Sequence, residues 1–359
     1  MMPGDAGFDN REMPKGSFKN KVKASLLILA LLAGIACYVF YRAFYYPSIR
    51  FAEKSRLIYI HTGWNFEQVK EMLKDKGIIS SPDAFDMIAR IKGYGSHVKP
   101  GRYRVMNHTS NAQLVNLLLS GKQEPETISL FNIRTKKELL DILALKIEAD
   151  SAHLARSLDN DNLKKYGFTS ENVLAMFLPG TYPILWTDTP EQFLQLMHNN
   201  YEAFWTPERR KKAAAIPLTP LQVTILASIV QAEQSQYNGE KAIIAGLYIN
   251  RLKRGMPLQS DPTLIYARGD FSIMRVLNGD KEIASPYNTY LHTGLPPGPI
   301  DMPSVSSLDA VLNYEKNNYI YMCAETDFSG RHHFSATLNE QEQYAARYQK
   351  ALNKRGVVR

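Results

Sequence analysis

The sequence predicts an α+β protein with an N-terminal transmembrane helix, a small α+β subdomain and a larger mixed α+β domain. Three observations predict it. An apolar stretch runs without a charge from Ala24 to Tyr41. Residues 50–125 alternate strand-type and helix-type segments, and residues 126–359 hold a run of capped helical segments that gives way to loops rich in Pro and Gly. A chain of 359 residues, 45% hydrophobic and 22% charged, is ordinary for a globular protein and long enough for more than one domain.

The first element is "ASLLILALLAGIACYVFY", which Ala43 to Tyr46 extend past Arg42. A span needs ~20 apolar residues, so 24–46 suffices. Arg11, Lys15, Lys19, Lys21 and Lys23 precede it. A cleavable signal would have a shorter core and a small-residue cleavage site, whereas "CYVFYRAFYYP" reads as an aromatic interface belt. The expectation is an uncleaved single-pass anchor in the cytoplasmic (inner) membrane. Residues 1–23 form a cytoplasmic tail, and the chain from residue 50 lies on the periplasmic or extracellular side. Arg42, Arg50 and Lys54 reduce the charge asymmetry behind that orientation.

Next, "RLIYIHTGWNFEQVKEMLKDKGII" reads as a strand, a turn and an amphipathic helix with Val69, Met72 and Leu73 on one face and Gly77 ending it. "SSPDAFDMIARI" opens a second helix, "VKPGRYRVM" is a turn and strand, and "SNAQLVNLLLSGK" is a capped helix closing at Gly121. The strand-helix-helix-strand order of 50–125 resembles small glycan-binding modules of the LysM type. A packing or spacer role is the other reading of the same residues.

Residues 126–359 begin with a strand in "ETISL" and a helix from Thr135; "ADSAHLARSLDNDNLKKYGFTSENV" is polar and partly helical. "MFLPGTYPILW" breaks the pattern at Pro-Gly and Pro183. Helices follow at Pro190–Phe204, Pro207–Ala215, Thr219–Gln234 and Glu240–Lys253, the last stopped by Gly255. "GMPLQSDPTLIYARGD" and "SPYNTYLHTGLPPGPIDMPS" are loops. The end reads as a strand, a second strand or turn, and a final helix.

One position in this run does not fit. Thr219, Pro220 and Gln222 form a helix start with a T-x-x-Q capping box, and Leu226, Ile229 and Val230 follow at helical spacing. The next position of that stripe is Glu233. A carboxylate against apolar neighbours is poorly solvated, so its pKa should rise. A carboxylic acid kept protonated near neutral pH can protonate a glycosidic oxygen. A solvated glutamate at a helix rim is the plainer reading. "LQSDPTLIY" brings Gln259, Asp261 and Thr263 around a proline turn, and "SPYNTYLHTGLPPGPI" supplies Tyr287, Asn288 and Tyr290. Aromatic faces and amides together suit a sugar ring, although Tyr in loops and Asp before Pro are also routine turn chemistry.

Taken together, "KPGRYRV", "LLLSGK", "FLPGTY", "LASIVQAEQ", "YINRLKRGMPLQSDPTLIY", "SPYNTYLHTGLPPGPI" and "HHFSATL" resemble the YceG-like family of endolytic murein transglycosylases over nearly the whole chain. The resemblance implies cleavage of the bond between N-acetylmuramic acid and N-acetylglucosamine in nascent peptidoglycan strands without water, leaving a 1,6-anhydro end. It makes 126–359 the catalytic domain. The family's catalytic glutamate is the second acidic position of an E-x-E after "ASIV". That position is Glu233, while Gln231 replaces the first glutamate. The carry-over assigns substrate contacts to Gln259, Asp261, Thr263, Tyr287, Asn288 and Tyr290. Asp261 could hold a hydroxyl, stabilise positive charge at C1, or shape its loop. The resemblance also implies peptidoglycan synthases as neighbours. Two departures stand out. Gly180 occupies a position where the family often has Asp or Asn, and the family's E-H-N after "TL" reads Glu340-Gln341-Glu342. His332 and Phe334 keep an H-x-F pattern.

Other classes are excluded or left as rivals. A net charge of +8 suits nucleic acid, an anionic membrane surface or an anionic polymer, but no zinc finger, basic zipper or RNP-type motif is present, so no nucleic-acid partner is expected. Cys37 and Cys323 lack metal-ligand spacing and read as buried, inert thiols. His332-His333 has no third ligand at sensible spacing, so neither metal nor cofactor is expected. A hydrolytic muramidase would ask for a second carboxylate beside Glu233. A catalytically inactive wall-binding scaffold is the rival outside enzymes, and Gln231 keeps it open.

Overall fold

The structure, a computed structural model, describes residues 15–273 and 276–354. Residues 1–14 of the expected tail, Arg11 among them, lie outside the described residues. The chain divides into two compact units, Met1–Glu124 and Pro125–Arg359.

The first unit opens with helix α1 (Lys15–Phe44). Within it, an 18-residue stretch of Lys19–Arg42 has a mean hydropathy of 2.3 and buries none of its surface against protein. Leu27 is 72% and Leu29 65% exposed. A helix that is apolar all round and packs only at its C-terminal end, through Phe44, is compatible with a single-pass membrane anchor. It also corrects the expectation for Cys37, which is exposed on this helix, while Cys323 is half-buried.

The rest of the unit is β1 (Ser55–Ile60), α2 (Phe66–Asp75), α3 (Pro82–Ile91), β2 (Gly101–Met106) and α4 (Asn111–Ser120). β1 and β2 pair antiparallel, with Ile58 opposite Tyr103. Strand alternation puts Ile58, Ile60, Tyr103 and Val105 inward, where they meet Val69, Leu73, Phe85, Ile88, Leu114 and Leu118. Asn65 with Gln68 and Ser110 with Gln113 form reciprocal capping boxes at the starts of α2 and α4. The strand-helix-helix-strand order read from the sequence is the order observed.

The second unit runs β3 (Glu126–Leu130), α5 (Lys136–Ala144), α6 (Ser151–Ser157), α7 (Asn160–Leu163), β4 (Gly180–Ile184), α8 (Pro190–Phe204), α9 (Pro207–Ala215), α10 (Pro220–Glu233), α11 (Asn238–Lys253), α12 (Asp261–Arg268), α13 (Val305–Leu312), β5 (Tyr321–Ala324), β6 (His332–Ser335) and α14 (Leu338–Lys354). Two segments differ from the sequence reading. "GTYPI" forms β4 rather than a break, paired antiparallel with β3 and with Pro183 opposite Thr127. A two-stranded ribbon has two edges, so a residue without an N–H can stand there at no loss to the ladder. Asp261 and Pro262 begin α12 rather than a turn, because proline's fixed φ suits a first helical turn.

The core is helical. α10 starts at the predicted Thr219–Gln222 capping box and is buried on every side from Val223 to Val230, a wider burial than the stripe read from the sequence. α11 packs beside it. A Cβ on Gly246 in α11 would stand 2.2 Å from the carbonyl oxygen of Glu315, and Asn250 donates from the same helix to the carbonyls of Asn317 and Tyr319. The loop before β5 is thereby laid against α11. Gly246→Ala should cost about 1–3 kcal/mol by overpacking, read as a lowered thermal midpoint of the purified chain. An unchanged midpoint would mean that the loop yields freely.

Candidate active site

Glu233 is the last residue of α10, at the end where helix carbonyls concentrate partial negative charge. Tyr248 of α11 donates its phenol to Glu233 Oε1 at 2.6 Å, and Ser260 donates its hydroxyl to the same oxygen at 2.5 Å. Both bonds fall on Oε1, which leaves Oε2 without a protein donor among the described residues. Burial pushes the Glu233 carboxyl above its ordinary value of 4.5; nearby Asp261 adds to the rise, and the two hydroxyl donors and His332 oppose it. Tyr248 is fully enclosed, and burial beside Glu233 holds its phenol well above its usual range, so it remains a donor.

The carboxyl lines a cavity of about 340 Å³ together with Arg251, Gln259, Asp261, Tyr290 and His332. Arg251, 6% exposed, ties three segments of the wall. Its guanidinium donates to the carbonyls of Pro257 and Ile320, both at 2.9 Å, and to Gln259 Oε1 at 2.5 Å. Gln259 has a left-handed backbone (φ 54°), and its N–H is held by the Thr289 carbonyl at 2.9 Å. Tyr290 donates its phenol to Asp261 Oδ1 at 2.5 Å. His332 pairs through Nδ1 with Glu240 Oε2 at 3.1 Å, and Gln234 donates to that same oxygen at 2.8 Å.

Of the seven candidate residues, Glu233, Gln259, Asp261 and Tyr290 meet at this cavity. The other three sit elsewhere. Thr263 is fully buried, donating to the Ser260 carbonyl and hydrogen-bonded to the Thr289 hydroxyl. Asn288 is fully buried too; its amide donates to the carbonyls of Lys281 and Ile283, and its carbonyl oxygen accepts from the N–H of Tyr290. Tyr287 donates to the carbonyl of Glu171 and packs on the ring of Tyr266. These side chains shape the loops that carry Ser260 and Tyr290.

Sequence reasoning did not single out Tyr248, Ser260 or Arg251 as site residues. Tyr248 and Arg251 read as ordinary positions of a helix. Ser260 lay between two named candidates, so its place in that block was the one available signal. Gln231, two residues before Glu233 and so about 200° round the helix, serves a different neighbourhood. Its amide donates to Asp301 Oδ2 at 2.9 Å and to the Met302 carbonyl, and accepts from the Ser304 N–H and the Ser307 hydroxyl. An ionised glutamate there could not donate, so the amide fits the hydrogen bonds present.

Comparison with known proteins gives consistent matches. The model of the YceG-like family matches residues 58–347. The chain is similar to an endolytic murein transglycosylase of Bacillus subtilis, 28% identical over 322 residues, covering 83% of this chain and 86% of the relative. It is also similar to an endolytic murein transglycosylase of Streptococcus pneumoniae, 28% identical over 302 residues, covering 74% of this chain and 53% of that protein. A crystal structure of a yceG-like protein from Listeria monocytogenes superimposes with a TM-score of 0.53 at 26% identity, covering 81% of this chain and 98% of that one.

The raised pKa of Glu233 has a sign that can be tested. Unfolded, the carboxyl ionises at its ordinary value; folded, it does so at a higher pH. Across that window folding takes up a proton, so stability falls as pH rises. Glu233→Gln should match the parent near pH 4 and become progressively more stable than it as pH rises toward neutrality. The gain should be about 1.4 kcal/mol for each pH interval of one over which folding takes up the full proton. Thermal midpoints of both proteins across that range check it; a difference that stays flat with pH would show that the carboxyl titrates normally.

Proposed function

The chain belongs to the YceG-like family, and from that membership and the geometry around Glu233 we propose that it is a membrane-anchored endolytic peptidoglycan lytic transglycosylase with Glu233 as its general acid and base. The observation that carries this reading is the state of one carboxyl. Oε1 is fixed by two hydroxyl donors, Oε2 is left for substrate, and burial favours the protonated form. The names of its relatives support murein as the substrate.

In this mechanism Glu233 gives its proton to the oxygen between N-acetylmuramic acid and N-acetylglucosamine as the C1–O bond breaks. The N-acetylglucosamine side departs as an alcohol, and positive charge spreads over C1 and the ring oxygen. Tyr248 and Ser260 stabilise the carboxylate formed at that moment, in a cavity where hydrogen bonds to charge are strong. The carboxylate then takes the proton of the muramic acid 6-hydroxyl as O6 closes on C1. The proton is recovered, so one carboxylate serves both steps. Gln259 and Tyr290 offer the sugar an amide and an aromatic face. Asp261, with Tyr290 fixed on it, offsets charge at C1 or holds a hydroxyl. Its presence on the same wall also supports a second reading, a hydrolytic muramidase with Asp261 as base.

α1 would hold the protein in the cytoplasmic membrane with its N-terminus inside, placing the 126–359 catalytic domain against nascent strands and their synthases. The 50–125 module would grip glycan as a LysM-like unit.

Isolated peptidoglycan digested with the detergent-solubilised chain should yield internal 1,6-anhydro ends by mass spectrometry. Glu233→Gln should lower their formation by about 10²–10⁴-fold. Reducing ends instead would select the muramidase, and no cleavage by the parent would sink both readings. Ser260→Ala should leave a slower enzyme whose kcat/KM falls at a higher pH than the parent's. The loss of that donor raises the Glu233 pKa further and keeps the acid protonated longer. A profile displaced to lower pH would contradict the assigned role of Ser260.

A further inference from the structure

The larger unit has a second cavity, of about 580 Å³, lined by Gln231 rather than Glu233. The mechanism above does not use it. Its walls hold a buried ammonium without an ion pair among the described residues and a buried carboxylate oxygen without a hydrogen bond.

Lys241 is 4% exposed and lines this cavity. Its ammonium has one side-chain contact, the Ser306 hydroxyl at 3.5 Å, and no ion pair among the described residues. Burial pulls it below the ordinary lysine range. A buried cation without a partner is costly. Its position in the chain adds to that cost. Lys241 stands near the start of α11, where the free N–H groups already carry partial positive charge, and Tyr237 at the cap supplies no side-chain acceptor. Glu240, the acid of that same turn, is committed to Gln234 and His332. Asn238 of that helix end lines the cavity with Lys241. Another wall carries the exposed Arg134, whose guanidinium lies 5.0 Å from the centre of the Phe271 ring.

The cavity also has an unused acceptor. Asp301 Oδ2 is bonded to Gln231, but Oδ1 is buried with no hydrogen-bond partner. A guest that satisfies these walls brings a carboxylate for Lys241 and the α11 terminus, an N–H for Asp301, and small apolar groups for Tyr266 and Phe271. Inorganic phosphate offers an anion for Lys241 but neither an N–H nor an apolar group. A short peptide with a free carboxylate offers all three.

We propose that this cavity binds the peptide stem of the polymer, with a free carboxylate on Lys241 and a backbone N–H on Asp301. The identity of the peptide rests on the proposed function; the carboxylate site does not. The test is calorimetric titration of the detergent-solubilised full chain with L-Ala-γ-D-Glu-meso-diaminopimelate. The same peptide with its carboxylates amidated is the control, and inorganic phosphate is titrated beside it. The parent should bind the tripeptide, more weakly as salt rises. The amidated peptide, and the tripeptide against Lys241→Met, should each bind about tenfold more weakly or worse. Lys241→Met should keep its fold with a raised thermal midpoint, because it removes an unpaired buried cation. Arg134→Gln, at an exposed position, should weaken binding several-fold. No binding by the parent, equal binding by both variants, or phosphate binding more tightly than the peptide overturns the proposal. The titration needs no turnover. A chain that binds the tripeptide yet leaves glycan uncut therefore refutes the transglycosylase reading and not the carboxylate site.

Discussion

The partial burial of one carboxyl group at the end of α10 is the constraint around which the second unit is organised. Glu233 stands where desolvation and the negative end of a helix both oppose its charge. Two hydroxyls answer that cost on one oxygen. They come from a helix and from a loop, so α11 and the segment before α12 must each be held to a fraction of an ångström. α11 is seated by Gly246 against the Glu315 backbone. Ser260 is seated by Thr289, whose hydroxyl accepts from the Ser260 N–H.

The same economy explains the polar residues of the loops. An irregular segment packed against a core exposes N–H and C=O groups that have no strand or helix partner, and each must be satisfied. Asn288 satisfies two carbonyls and one N–H in a single side chain, and Thr263 joins the Ser260 carbonyl to the Thr289 hydroxyl. Residues that look like ligands by type are, in such loops, the means by which the cavity's lining residues are positioned.

That distinction marks how far the sequence could be read. Periodicity and caps give α8 to α11 almost to the residue, because helix signals are local: a capping threonine, a proline at the first turn, a glutamine three residues on. Glu233 was legible for the same reason, as an acid that broke a local pattern. β4 was not, since Pro183 signals a break and only the partner strand, more than fifty residues earlier, makes it a strand. Tyr248 was not legible because a tyrosine within a helical pattern reads as core, and its value lies in a contact fifteen residues away in the chain. Gln231 read as a departure; its four hydrogen bonds, all to residues 70 to 76 positions later, give that departure a use.

Arg251 carries a further consequence. One of its guanidinium nitrogens donates to the carbonyl of Ile320, and the cavity wall is finished by Tyr321 and His332 on the C-terminal ribbon. α10 and α11 are made some seventy to a hundred residues earlier. Until Ile320 is made, one of the arginine's three bonds is missing, and the groove that holds the carboxyl lacks its last wall. The pocket is among the last things this chain can assemble. A protein cut short before residue 320 would keep its acid and much of its helical core and still lack one wall of the cavity.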